Sequence, residues 1–138
     1  MVISQKALDN GPGTDDPRRQ QELRQFVAKL GLAEGAPVRF ELLHQALVDI
    51  SKSADYNNEV LEFLGDAALR LAAAEFLQET CPQMSVGEMA AVRSQLVSDR
   101  TLAMLAQDYN FGRYLQISTS AATRAFAPSI TRGTGGYL

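Results

Sequence analysis

Apolar residues recur at three- and four-residue intervals through successive stretches of this chain and nowhere alternate with polar ones over a strand-length run. A period near 3.6 builds helix faces, whereas a half-buried strand needs a period of two, so the pattern restricts the chain to packed helices. Asp16 is a good N-cap with Pro17 at the first helical position; Leu23, Phe26, Val27 and Leu30 then share a face until Gly31 supplies a stop. Phe40, Leu43, Ala46, Leu47 and Ile50 mark a second helix reaching Ile50. A third begins near Asn57 and runs on through LRLAAAEFLQET until Cys81-Pro82 ends it. Ser85 and Glu88 form a capping-box pattern at the head of a fourth, whose expected buried side is Met89, Val92, Leu96 and Val97. Ser98 or Asp99 starts a fifth, with Leu102, Leu105, Ala106 and Tyr109 facing inward and an end near Asn110 to Gly112. The expected class is all-α, a compact domain of about five helices.

At 138 residues there is room for one small domain. Residues 1–14 are polar and Gly/Pro-bearing, and we expect a disordered leader; 15–118 form the helical domain; 119–138, small, polar and Gly-rich, read as an irregular tail. No apolar run is long enough for a bilayer, and the N-terminus lacks the basic-then-apolar layout of a secretory signal, so a cytoplasmic location without membrane attachment is expected. Cys81 is the single cysteine, which suits a reducing compartment and an inert thiol. The net charge of −3 argues against a broad basic surface, so any nucleic-acid affinity of this chain should be weak.

The segment NNEVLEFLGDAAL, residues 57–69, carries the chemistry. Glu59, Glu62 and Asp66 are spaced by three and four residues, within about 60° of arc on one helix face. Three like charges so close repel, and the only cation on their stripe is Arg70. A hard divalent cation would relieve the repulsion, and oxygen-only ligands suit Mg²⁺ or Mn²⁺ better than zinc. A solvated acidic face fits the spacing equally well. His44 has no triad-like partner in sequence and is read as a surface or core histidine.

These residues closely resemble the signature helix of the ribonuclease III family, Asn-Glu-x-Leu-Glu-Phe-Leu-Gly-Asp-[Ala/Ser], which Asn58 to Ala67 match at every specified position. FELLHQALVDIS resembles the helix before it, and Cys81 to Ser118 the helices after it. The resemblance implies an endoribonuclease that hydrolyses phosphodiesters of double-stranded RNA with Mg²⁺ during rRNA or precursor processing, with no DNA substrate. Glu62 and Asp66 match the metal-binding, catalytic acids, and Glu59 an acid at the site's edge. Asn58 is then placed beside the RNA. Arg93 matches an arginine able to approach a phosphate, although a structural ion pair to the acidic stripe is the preferred reading. The family homodimerises through its signature helices, which casts Phe63 as an interface aromatic; by phase we expect it to point away from the acids, and burial in the core is the alternative.

Two departures stand against the match. Val86-Gly87 replaces a common Glu-Gly, with Glu88 better suited to capping, and no Asp or Glu follows Asp108, so the Asp-x-x-Glu of a later helix is missing. The resemblance stops just after Ser118 to Ala122, and the closing helices of the fold are expected to be absent, through truncation, frameshift or an evolved short form. The remaining helices should then expose apolar surface and depend on association. Two function classes follow: a nuclease with impaired activity, or a non-catalytic RNA-binding or ribosome-associated dimerisation module.

Overall fold

The computed structural model describes residues 14–125. Among these residues six helices are present: α1 Pro17–Lys29, α2 Phe40–Ala46, α3 Glu59–Thr80, α4 Val86–Leu96, α5 Asp99–Asp108 and α6 Thr119–Ala125, with a 3-10 turn at Phe111–Arg113 between α5 and α6. No strand occurs among the described residues, where a parallel bridge between Val48 and Gln116 is the one β-type pairing. Each helix packs on its neighbour in sequence from α1 to α5, and α5 packs on the 3-10 turn.

Local signals set the ends of α1. The Asp16 carboxylate accepts from Arg18 N at 2.9 Å, and Pro17 occupies the first turn. At the other end Gly31 takes φ +88°, and Gly31 N and Leu32 N donate to the carbonyls of Ala28 and Val27 in a Schellman arrangement. α4 opens on the expected capping box, with Ser85 N donating to Glu88 Oε2 at 2.8 Å and Glu88 N to Ser85 Oγ at 3.3 Å.

The core is small. Leu23, Phe26, Leu47 and Tyr114 are buried together, with Phe40, Leu43, Phe111 and Leu115 packed around them. Phe26 is the hub, meeting Phe111 edge-on at 4.9 Å and Tyr114 at 4.7 Å between ring centroids. One charged side chain shares this interior. Arg19, only 6% exposed, donates through Nε to His44 Nδ1 at 3.1 Å and through its two terminal nitrogens to the Glu22 carboxylate at 3.0 Å and the Tyr114 carbonyl at 2.8 Å. It therefore joins α1, α2 and the segment after the 3-10 turn.

Several expectations are corrected. α2 ends at Ala46 rather than Ile50, because the backbone of 47–49 pairs elsewhere: Gln116 N donates to the Leu47 carbonyl at 2.7 Å, and Asp49 N to the Gln116 carbonyl at 2.9 Å. Residues 119–125 are helical where an irregular tail was expected. Ser118 Oγ accepts from Ala121 N, and the alanine-rich stretch TSAATRA needs no apolar period to hold about two turns after such a cap. The rest of that tail, 126–138, lies outside the described residues, as do residues 1–13 of the expected leader; Thr14 is buried, and its carbonyl accepts from Gln20 Nε2. The expected inner sides of α4 and α5 are only partly covered: Val97 is buried, Met89, Val92, Leu102 and Ala106 are half-buried, and Leu96, Leu105 and Tyr109 are exposed. In the 22 residues of α3 only Leu77 is buried. Leu71, Phe76, Val86 and Met104 are exposed, so the described helices present apolar surface to solvent.

Leu23→Ala is expected to destabilise the domain by about 2–5 kcal/mol in urea unfolding followed by circular dichroism. Arg19→Ala should cost about 1–3 kcal/mol, since the Tyr114 carbonyl and His44 Nδ1 lose their donor inside the fold. Glu22→Ala, at the exposed end of the same network, should change stability by no more than about 1 kcal/mol. Equal, small losses for Arg19→Ala and Glu22→Ala would show that the buried tie does not hold the three segments together.

Candidate active site on helix α3

α3 is hung from the core by its first turn. Asn58 N donates to the Val48 carbonyl at 2.9 Å, and the Asn58 carbonyl accepts from Glu62 N at 2.7 Å, so the bridge segment passes directly into the helix. Asn57 does the side-chain work at this junction. Its Oδ1 accepts from Glu59 N at 3.1 Å, while its Nδ2 donates to the carbonyls of Ser53 and Ala54 and closes the preceding loop. Asn58 makes no side-chain cap bond. Sequence reasoning assigned a role to Asn58 and none to Asn57, although an asparagine two residues before a helix's first residue is a recognisable capping signal. Tyr56 secures the same loop, its hydroxyl donating to the Glu41 carbonyl at 3.1 Å and its ring facing that of buried His44.

Beyond this anchor, Glu59, Glu62, Phe63, Asp66 and Ala67 line one shallow depression of about 530 Å³. The three acids share it as their spacing implies, and all are exposed. Arg70 Nε donates to Asp66 Oδ2 at 2.9 Å, and this hydrogen bond first, with the guanidinium's charge, holds the Asp66 carboxyl below its usual pKa. No ion pair reaches Glu59 or Glu62 among the described residues.

Phe63 is 79% exposed, which excludes the core alternative. It also borders the acids instead of pointing away from them. Four residues from Glu59 amounts to about 40° of arc, which sets the ring against the carboxylates' own groove. Arg93 is corrected as well. It lies half-buried in a separate depression with Ala74, Leu77, Gln78, Val86, Met89 and Ala90, and makes no ion pair with the acidic stripe. Leu77 follows Asp66 by 11 residues, so that depression sits about 16 Å further along α3. Glu88 is committed to its cap, accepting from both Ser85 N and Ser85 Oγ, and those bonds hold its carboxyl below the usual range.

Glu62 and Asp66 offer oxygen donors of the type a hard divalent ion prefers. Their number is too small. Among the described residues no three His, Cys, Asp or Glu side chains group so as to hold a metal, and Asp66 already has a cation beside it. The described residues therefore do not by themselves fit a Mg²⁺ centre.

Residues 59–134 match the family model of the Ribonuclease III domain. The chain belongs to the ribonuclease III family. It is 50% identical over 107 residues to "Ribonuclease 3 2" of Nostoc sp., an alignment covering 78% of this chain and 44% of that protein. With "Ribonuclease 3" of Gloeobacter violaceus it shares 50% identity over 109 residues, covering 77% of this chain and 45% of the relative. The chain thus spans less than half the length of these ribonuclease III relatives. The all-α architecture agrees with the solved nuclease domain of ribonuclease III from Campylobacter jejuni, at a TM-score of 0.66 and 29% identity over 75% of this chain and 70% of that one. That structure is described as showing structural flexibility in the region involved in dimer formation. The family match runs beyond Ser118, past the point where the signature-based resemblance was expected to stop.

Replacing Arg70 by Gln should return the Asp66 carboxyl toward its ordinary value of 3.8, a rise measurable by carboxyl carbon NMR titration. The sign for stability follows from a depressed folded pKa. The pair's support for α3 is complete above the ordinary value and is lost as pH falls through the lower, folded one, so Arg70→Gln should remove an acid-labile step below about pH 4. An Asp66 titration unchanged by Arg70→Gln would show that the pair is not formed in solution.

Proposed function

We propose that this chain is the nuclease-domain portion of a ribonuclease III-type endoribonuclease acting on double-stranded RNA, as an RNA-processing enzyme of the cytoplasm that matures rRNA or other precursors. The observation that carries this reading is the convergence of Glu59, Glu62 and Asp66 with Phe63 on one open face of α3, at the matched positions of the family's signature. Glu62 and Asp66 are the acids that hold a Mg²⁺ or Mn²⁺ cofactor, Glu59 and Asn58 stand at the edge of the site, and the ligands that the described residues lack come from outside them. With only part of the acid set on this chain, activity is low compared with the longer relatives. The substrate is recognised by the shape of an A-form duplex, whose wide minor groove presents phosphates and 2′-hydroxyls. Arg93, on α4 beside the far part of α3, is then a phosphate contact outside the acidic face.

Phe63, exposed beside the acids, is the centre of a homodimer contact in this reading, and two-fold pairing sets two acidic faces against one duplex, one for each strand. The alternative, a non-catalytic duplex-binding or dimerisation module, draws support from the absence of a three-acid metal grouping among the described residues and from the cation already beside Asp66.

Cleavage of a labelled long RNA duplex, with and without Mg²⁺, separates the two. The nuclease reading expects Mg²⁺-dependent cutting that falls about 100-fold or more in Asp66→Asn, equivalent to ~2.7 kcal/mol of barrier. Intact duplex binding without cutting would establish the non-catalytic module instead. In sedimentation equilibrium, Phe63→Ala should weaken self-association by about 30-fold, the effect of losing a central aromatic worth ~2 kcal/mol. A self-association constant that ignores this substitution would move the dimer contact elsewhere on the chain.

A further inference from the structure

The chain's only histidine is part of the buried tie between α1, α2 and the segment after the 3-10 turn. His44 is 5% exposed, and Arg19 Nε donates to its Nδ1 at 3.1 Å. A guanidinium can only donate, so Nδ1 must offer its lone pair, and the ring is the neutral tautomer with its proton on Nε2. An imidazolium carries N–H on both nitrogens. In this position it would set donor against donor and cation against cation, and Arg19 cannot yield by giving up its own proton.

The groups around the ring do not offset that conflict. From α1, Arg18 and Arg19 oppose a charge on His44 while Asp16 and Glu22 favour it, and Lys52, from the loop before α3, opposes it. Both acids are already engaged, Asp16 in capping Arg18 N and Glu22 with Arg19. Tyr56, its ring 6.0 Å from that of His44, adds no charge, because partial burial first and then the charge of Glu41 hold its hydroxyl above the usual phenol range. The segment after the 3-10 turn brings Gln116, which is uncharged. These side chains and His44 line an open cavity of about 550 Å³, which gives a proton a route to the ring.

We propose that His44 is an acid-operated release for the start of α3: protonation of Nδ1 breaks its bond with Arg19, the hold on Tyr114 slackens, and the Val48–Gln116 bridge that anchors Asn58 opens. The device works through the fold and holds whether or not the α3 acids bind a cation. An unfolded histidine takes up its proton near pH 6.5, whereas the intact tie excludes it. The unfolded state therefore binds more protons, and stability falls as pH drops through that value. The carboxyls of Asp49, Asp66 and Glu88 are held by their hydrogen bonds below ordinary values of 3.8 for the aspartates and 4.5 for the glutamate, so they act only in stronger acid.

The full 138-residue chain and its His44→Asn variant, which keeps an acceptor near the Nδ1 position but cannot titrate, test this together. Between about pH 7.5 and about pH 5.5 the unfolding equilibrium constant of the unsubstituted chain should rise about tenfold, and that of His44→Asn by less than about twofold. Amide hydrogen exchange should show protection at Asp49, Asn58 and Gln116 falling about tenfold over the same range, with α4 changing less. Should the variant fail to fold, the imidazole NMR signals of the unsubstituted chain decide alone: they should keep the neutral pattern in the folded state well below about pH 6.5. A folded chain whose single histidine titrates near that value, or an equal loss of stability in His44→Asn, would overturn the release. So would unchanged protection at those three amides.

Discussion

The buried guanidinium of Arg19 is the interaction on which the placement of everything else depends. Three segments far apart in sequence meet at it: its own helix α1, His44 on α2, and the Tyr114 carbonyl after the 3-10 turn. Burying a cation in so small a core is costly unless its donors are satisfied, and here all three guanidinium nitrogens have acceptors. Holding Tyr114 brings Gln116 beside Val48, the bridge there straightens residues 47–49, and the Val48 carbonyl then receives the first backbone N–H before α3. Hydrogen bonds joined by short stretches of backbone thus lead from the interior to the acidic face.

What the sequence disclosed and what it concealed divide by distance along the chain. The N-cap at Asp16, the glycine stop at Gly31 and the Ser85–Glu88 box involve partners within five residues, and each was legible. The end of α2 was not, because the Leu47 carbonyl and the Asp49 N–H are claimed by Gln116, nearly 70 residues away. Arg19 left a faint trace: it falls on the same face as Leu23 and Phe26, four and seven residues on, where a charge needs an explanation. α6 escaped notice because a short alanine-rich helix rests on its cap and its propensity, neither of which produces an apolar period.

The candidate site shows the same division. Sharing of one face by Glu59, Glu62 and Asp66 follows from helix spacing alone. Exposure of Phe63 does not, since a helix position is buried or open according to what packs on it, and in α3 only Leu77 is fully buried. Arg93 was misplaced for a related reason: its motif fixes its place on α4, while its distance from the acids depends on where α4 crosses α3, and the crossing lies toward the far end. Arg70 was visible as the one cation on the stripe, and its pairing with Asp66 is the local geometry that i to i+4 spacing provides.

The length of α3 gives its anchored start a mechanical meaning. Twenty-two residues make a rod of about 33 Å, gripped at one end by the core and carrying α4 near the other. A tilt of about 5° at the grip would swing Thr80 by roughly 3 Å but Asp66 by only about 1 Å, from the helical rise alone. The acids therefore sit near the fulcrum of a lever. Thermal sway that rearranges the sparsely packed helices at the tip passes through them almost unfelt, and their mutual spacing, set within two turns of one helix, does not change at all.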